Sequence, residues 1–226
     1  MTAGECFSMK AFDKAYLTFI FDDGHIGFTK ECFELFQSYG MPMGCAIVAA
    51  KVMENPEDID LFLKIEKAGG EIFSHTYNHH ALHKDNCTLE KIETELGDSY
   101  RALTKLGFKI NGIIEAGNGG GENTANYELI ETVSRKYYKY SNAYGVSPQY
   151  NKSRTWLPNH TLESGKKRIS QAIENKEWLV ISAHHFGEYS KENMTELLKF
   201  IDSKGKDKAE VVTWNYVYEN FGNFTK

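Results

Sequence analysis

The chain has no long apolar run, no cationic stretch and no pair of closely spaced cysteines, and each absence removes a class of protein. A bilayer span needs about 20 consecutive apolar residues, and no stretch approaches that. The opening Met1-Thr2-Ala3-Gly4-Glu5-Cys6-Phe7 lacks the charged and then apolar segment of a secretion signal. The expectation is therefore a cytoplasmic protein, or a domain excised from a surface or virion protein. With 31 acidic against 26 basic residues and a formal net charge of −5, no basic patch argues for nucleic acid and no cationic helix for a membrane surface. Cys6, Cys32, Cys45 and Cys87 have no close paired spacing, which leaves a zinc ribbon or redox pair unsupported and predicts reduced, packed thiols. Repeats, low-complexity tracts and linkers are missing as well. The 226 residues suit a lead-in over 1–14 and one domain over 15–226. Oligomeric state has no signature in the sequence.

What is present is an alternation of strand-like runs and amphipathic helices. Strands are expected at Tyr16–Phe21, Met43–Ala49, Glu71–Ser74, Ile110–Ile114, Tyr137–Tyr140, Trp178–Ser182 and Glu210–Thr213, with a weaker one at Thr155–Leu157. The clearest helix is Thr88–Leu106: Thr88 can cap it, Glu90 sits in the first turn, Leu89, Ile92, Leu96, Leu103 and Leu106 trace an apolar face, and Gly107 ends it. Other helices are expected at Gly27–Tyr39, Pro56–Ala68, Thr124–Arg135, Lys166–Asn175 and Ser190–Ser203. Seven or eight strands, most followed by a helix, imply parallel pairing with right-handed crossovers. A barrel is favoured over an open sheet because polar residues fall at strand ends: Asp22 and Asp23, His75, Glu115 with Ala116-Gly117-Asn118-Gly119-Gly120-Gly121, and His184-His185. A barrel gathers the C-terminal ends of all its strands on one face.

Two of these strand ends suggest chemistry. Phe19-Ile20-Phe21-Asp22-Asp23-Gly24 presents adjacent carboxylates, and Gly70-Glu71-Ile72-Phe73-Ser74-His75-Thr76-Tyr77-Asn78-His79-His80 presents two histidines four residues apart. His75 and His79 can face one metal ion if the segment takes a helical turn. With Asp23 they would form a facial set of two imidazoles and a carboxylate that leaves positions open for water and substrate. Zinc is the first choice, although iron, cobalt, nickel and manganese suit the same set.

These motifs resemble those of the polysaccharide deacetylases with the NodB-homology fold, carbohydrate esterase family 4, over roughly Ala15 to Asn220. Thr18-Phe19-Ile20-Phe21-Asp22-Asp23-Gly24 is similar to the first motif of the family, His75-Thr76-Tyr77-Asn78-His79 to the second, and Leu179-Val180-Ile181-Ser182-Ala183-His184 to a late one, with one residue fewer before the histidine. The resemblance implies a distorted (β/α) barrel with Asp22 as general base, Asp23, His75 and His79 as metal ligands, and His184 as general acid, or His185 if the late motif is matched without a gap. Where the family has Arg-x-Pro-Tyr-Gly this chain aligns Glu115-Ala116-Gly117-Asn118-Gly119, which loses the arginine that steadies the base. Glu115 and Asn118 become expected substrate contacts. The acidic, tryptophan-bearing middle motif has no clear counterpart between Tyr137 and Trp156.

The implied activity is metal-dependent removal of acetyl groups from a carbohydrate, foremost the N-acetylated sugars of a polysaccharide, by attack of a metal-bound water. A bound divalent metal lowers the pKa of such water to about 7. Two alternatives are a small amide or cyclic imide as substrate, and an inactive carbohydrate-binding relative. Plainer readings apply elsewhere. Four histidines within nine residues, His75 to His83, would also make a surface tract, the favoured reading for His83 and an even one for His80. His25 is expected to begin a helix rather than bind metal. Gly117–Gly121 lacks the lysine and hydroxyl of a phosphate loop. Tyr144, Tyr150, Trp156 and Trp214 offer stacking surfaces for sugars, with buried packing the default for each.

Overall fold

A computed structural model describes residues 7–9, 11–82, 87–117, 124–142 and 154–224. β1 (Phe7–Met9) and β10 (Gly222–Phe224) pair antiparallel as a small ribbon that ties the lead-in to the C-terminal region. The remaining strands form one parallel sheet: β2 (Ala15–Phe21), β3 (Gly44–Ile47), β4 (Glu71–Ser74), β5 (Gly112–Ile113), β6 (Tyr140–Ser141), β7 (Thr155–Trp156), β8 (Trp178–Ala183) and β9 (Ala209–Val211). Their order is β6-β5-β4-β3-β2-β8-β7, with β9 added on β2. β2 divides one edge between two partners, Ala15–Leu17 pairing with β9 and Ile20–Phe21 with β3, while β8 runs along the other. Among the described residues β6 and β7 do not pair, so the ring of strands stays open there. This is the distorted (β/α) barrel expected from the sequence.

β2 is buried throughout, and apolar but for Thr18, because both faces are covered, as in parallel sheets generally. Leu17, Phe19 and Phe21 pack outward with Phe28 and Phe36 of α1 (Ile26–Ser38), while Tyr16 and Ile20 point inward with Phe73, Tyr140, Trp178 and Trp214. The other helices are α2 (Ala49–Glu54), α3 (Ile59–Lys67), α4 (Leu89–Glu93), α5 (Ser99–Lys105), α6 (Thr124–Tyr137), α7 (Leu162–Asn175), α8 (Lys191–Asp202) and α9 (Trp214–Phe221). None is long and apolar enough to cross a membrane among the described residues.

Several expectations need correction. The helix predicted over Thr88–Leu106 has its Thr88 cap, with Oγ1 accepting from the Lys91 N–H, but a π-helical turn at Thr94–Asp98 separates α4 from α5. The strand predicted to Ala49 ends at Ile47, because the Ala49 and Ala50 N–H groups donate to the Thr76 and Tyr77 carbonyls and α2 begins there. α6 extends to Tyr137 where a strand was expected, since the Tyr138 N–H still bonds back to Ser134. α7 starts at Leu162 on a Thr161 cap, and α9 was not foreseen. Trp214 is fully buried inside the barrel and is no sugar platform. Cys32, Cys45 and Cys87 are buried as expected; Cys6, His83, Tyr144 and Tyr150 lie outside the described residues.

Glu71 opens β4 at the end of the barrel away from His75 and is buried there. Tyr140 Oη donates to Glu71 Oε1, and the Asn215 N–H donates to Oε2 at 3.1 Å. Burial outweighs these bonds and pushes its carboxyl up from 4.5 to about 7. A carboxyl whose folded pKa is raised contributes stability that is complete below the unfolded pKa and lost as pH rises through the folded one. Stability should therefore fall by about 3 kcal/mol between pH 4.5 and 7 from this group. When protonated, Glu71 can donate to Tyr140, whose hydroxyl also lies 3.3 Å from Asn215 Oδ1 and can donate onward. A glutamine reproduces that arrangement. Urea denaturation should show Glu71→Gln losing this pH dependence and exceeding the parent's stability at pH 8 by about 2–3 kcal/mol.

Candidate active site

The β2 ladder continues one residue past the strand, with the Asp22 N–H donating to the Ala183 carbonyl at 3.2 Å. The chain then turns sharply, Asp23 and Gly24 both taking the left-handed conformation (φ 72° and 65°). At Gly24 the turn passes so close to β3 that a Cβ would lie 3.1 Å from Ile47 Cγ2. Next to it, β4 delivers His75, whose N–H donates to the Ile47 carbonyl. The segment to His79 is not the helical turn the spacing suggested: Thr76 and His79 have φ of 64° and 63°, which folds the loop back on itself.

Asp23 Oδ1 lies 3.2 Å from His75 Nε2 and 3.0 Å from His79 Nε2. The two rings are 4.9 Å apart, and the three side chains form a compact group able to hold a metal. His75 Nδ1 is 3.0 Å from the Ile114 carbonyl, which can only accept, so Nδ1 carries the proton. In the neutral imidazole Nε2 then presents a lone pair to Asp23 Oδ1, and that buried oxygen has no hydrogen-bond partner. Lone pairs held about 3 Å apart repel unless a cation stands between them. The donor set therefore fits a divalent metal. When the imidazoles are protonated, their charge and hydrogen bonds outweigh the burial that opposes ionisation of Asp23 and hold its carboxyl well below the ordinary range. His25 Nε2 stands 3.5 Å from the other Asp23 oxygen at the site's rim, and burial lowers its pKa against the pull of Asp23.

Asp22, 4% exposed, has a different partner. Arg154 grips it with two parallel bonds, Nη1 to Oδ1 at 2.9 Å and Nη2 to Oδ2 at 2.8 Å. Asp22 thus receives a guanidinium from just before β7, although the chain has Glu115 at the third motif's arginine position. Glu115 ends up buried beyond β5, its N–H donating to Asn142 Oδ1 at 2.7 Å. Asn118 lies outside the described residues.

His184 follows β8 directly. Its Nδ1 meets both oxygens of Glu188 at 3.0 and 3.1 Å, and its N–H donates to Glu188 Oε2. Burial opposes ionisation of Glu188, and His184 overcomes it, holding that carboxyl below its usual range. A carboxylate on Nδ1 leaves Nε2 as the working nitrogen. Trp156 stands edge-on to His184 at 4.6 Å. Arg154 and Trp156, two residues apart, serve Asp22 and His184 respectively, as the period of a strand allows. His185 instead accepts from the Gly187 N–H and lies edge-on to His25.

The sequence profile of the polysaccharide deacetylases matches residues 10–140, more than half of the chain. The chain belongs to the polysaccharide deacetylase family. Similar solved structures include a polysaccharide deacetylase from Mycobacterium smegmatis described as putative (14% identity, 97% of this chain and 93% of that one, TM-score 0.68). A family 4 acetyl xylan esterase from Clostridium thermocellum, in complex with cobalt, is 14% identical over 90% of each chain (TM-score 0.61). A peptidoglycan deacetylase from Bacillus subtilis is 16% identical over 91% of each (TM-score 0.59). Curated protein sequences give no match. At these identities the likeness concerns the fold.

Sequence reasoning missed two residues of the site. Arg154 and Asp22 are 132 residues apart, so no local pattern announces their pairing. Glu188 was findable, because a histidine and a carboxylate four residues apart at a strand end readily meet. Two outcomes follow from this geometry. Zinc at a hundredfold excess over its Kd should stabilise the protein by about 2.7 kcal/mol, and His79→Ala should abolish the shift in thermal unfolding. Arg154→Met should cost about 3 kcal/mol by leaving a buried carboxylate uncompensated, and denaturation should show most of that restored in Arg154→Met/Asp22→Asn.

Proposed function

We propose that this chain hydrolyses acetyl groups from an N-acetylated carbohydrate with a divalent metal held by Asp23, His75 and His79, through a single deacetylase domain over residues 15–226. The observation that carries the reading is the division of labour between adjacent carboxylates: Asp22 is clamped by Arg154, whereas Asp23 turns an unpartnered oxygen to two imidazoles. A metal bound there supplies Lewis acidity, polarising the acyl carbonyl and acidifying water. Zinc is the first choice on donor chemistry.

Asp22 acts as general base. Its bidentate bond to Arg154 fixes the plane of the carboxylate and holds it aimed for the moment when a proton must be taken from attacking water. His184 acts as general acid from Nε2. Glu188 orients the ring through Nδ1 and stabilises the imidazolium, and Trp156 limits its swing, so the proton passes to the departing sugar nitrogen. Family membership and structural neighbours described as acetyl xylan esterase and peptidoglycan deacetylase support an acetylated glycan as substrate.

The test is acetate release from acetylated chito- and xylo-oligosaccharides. Zinc-loaded protein should release acetate, and Asp22→Asn should lose activity by about 10²–10⁴-fold while keeping its metal. Full activity in Asp22→Asn would remove Asp22 as the base. Metal binding with release of ammonia from small amides, and no acetate from any glycan, would replace the substrate class.

A further inference from the structure

The π-helical turn at Thr94–Asp98 buries a glutamate, Glu95, that is 3% exposed and faces the loop carrying both histidines. Such turns are rare and occur frequently at functional sites. In an α-helix the Ser99 N–H would bond to the Glu95 carbonyl; here it bonds to Leu96. The Glu95 carbonyl accepts instead from the Tyr77 N–H at 3.0 Å. Its carboxylate takes the Asn78 N–H on Oε2 at 2.8 Å and Asn78 Nδ2 on Oε1 at 2.9 Å. One residue thus binds both residues that precede His79, through three hydrogen bonds.

The turn is itself fixed to the barrel. Tyr138 Oη donates to the Leu96 carbonyl at 2.6 Å, and Ser99 Oγ lies 2.8 Å from Ser74 Oγ, on the residue before His75. At Gly97 a Cβ would come within 3.0 Å of Tyr137 Cε2, so the turn packs against α6 without a side chain. The loop it grips holds two non-glycine residues at positive φ, Thr76 and His79, conformations that persist only where the surroundings over-determine them.

We propose that Glu95 is the positioning residue of the metal-binding loop: by holding Tyr77 and Asn78 it fixes the turn that aims His79 at Asp23, and so sets metal affinity without being a ligand. The inference rests on reading Asp23, His75 and His79 as a metal site. Groups that orient metal ligands change affinity by about 10–100-fold when altered.

The experiment is a Zn²⁺ titration of the full chain against a chromophoric chelator, with the visible spectrum of the Co²⁺ form as a second readout of ligand geometry. Glu95→Gln, which turns an amide N–H₂ toward a donor, should weaken Zn²⁺ by about 10–100-fold and alter the Co²⁺ bands. Asn78→Ala, at an exposed position that folding tolerates, should weaken Zn²⁺ about tenfold, and adding it to Glu95→Gln should cost less than the two losses combined. Folded variants with parental Zn²⁺ affinity and Co²⁺ spectrum would overturn the role of Glu95 while leaving the metal site standing. If Glu95→Gln does not fold, parental affinity in Asn78→Ala alone overturns it. A parental chain that takes up neither metal would overturn the metal reading, and this inference with it.

Discussion

Two carboxylates on consecutive residues at the end of a buried strand repel each other, by about 4 kcal/mol for unit charges 4 Å apart at an effective dielectric of about 20. The site is organised around satisfying each of them separately. Asp22 remains in register with β2 and receives a planar guanidinium that matches both its oxygens. Asp23 enters the left-handed turn and swings to the opposite side, toward His75 and His79. The first charge is met by an arginine, and the second faces two imidazoles.

The barrel explains why these partners can meet. β7, β8, β2, β3 and β4 are neighbours in that order, so Asp22, His184, Arg154 and both histidines arise from one contiguous arc. β8 pairs along almost the whole of β2 and sets His184 beside Asp22. Below the site, Phe73, Tyr140, Trp178 and Trp214 fill the interior and give the strand ends a rigid base. The loops above this packing hold left-handed residues at Asp23, Thr76 and His79, so the strain collects where the chemistry is proposed.

Much of this arrangement was legible in the sequence. β2 and β8 are largely apolar runs, and β4 holds Ile72 and Phe73; they end in Asp22-Asp23, His184 and His75, which predicts a buried parallel sheet with a common functional end. Contacts between distant segments were not legible. The grip of Arg154 on Asp22 depends on β7 packing beside β8, and β7 was the weakest strand expected. The π turn was masked by an apolar spacing that looks helical throughout; its traces were Glu95 and Ser99, polar residues on what proved to be the buried side. Trp214 is buried, the default reading for a single aromatic, but the helix α9 that carries it was not foreseen.

The most direct test of the account is an anomalous difference map from crystals grown with zinc. One peak is expected about 2.0–2.2 Å from an oxygen of Asp23 and from the Nε2 atoms of His75 and His79, with Arg154 still bidentate on Asp22. A metal bridging Asp22 and Asp23 with Arg154 displaced, or no peak among these residues, would contradict it.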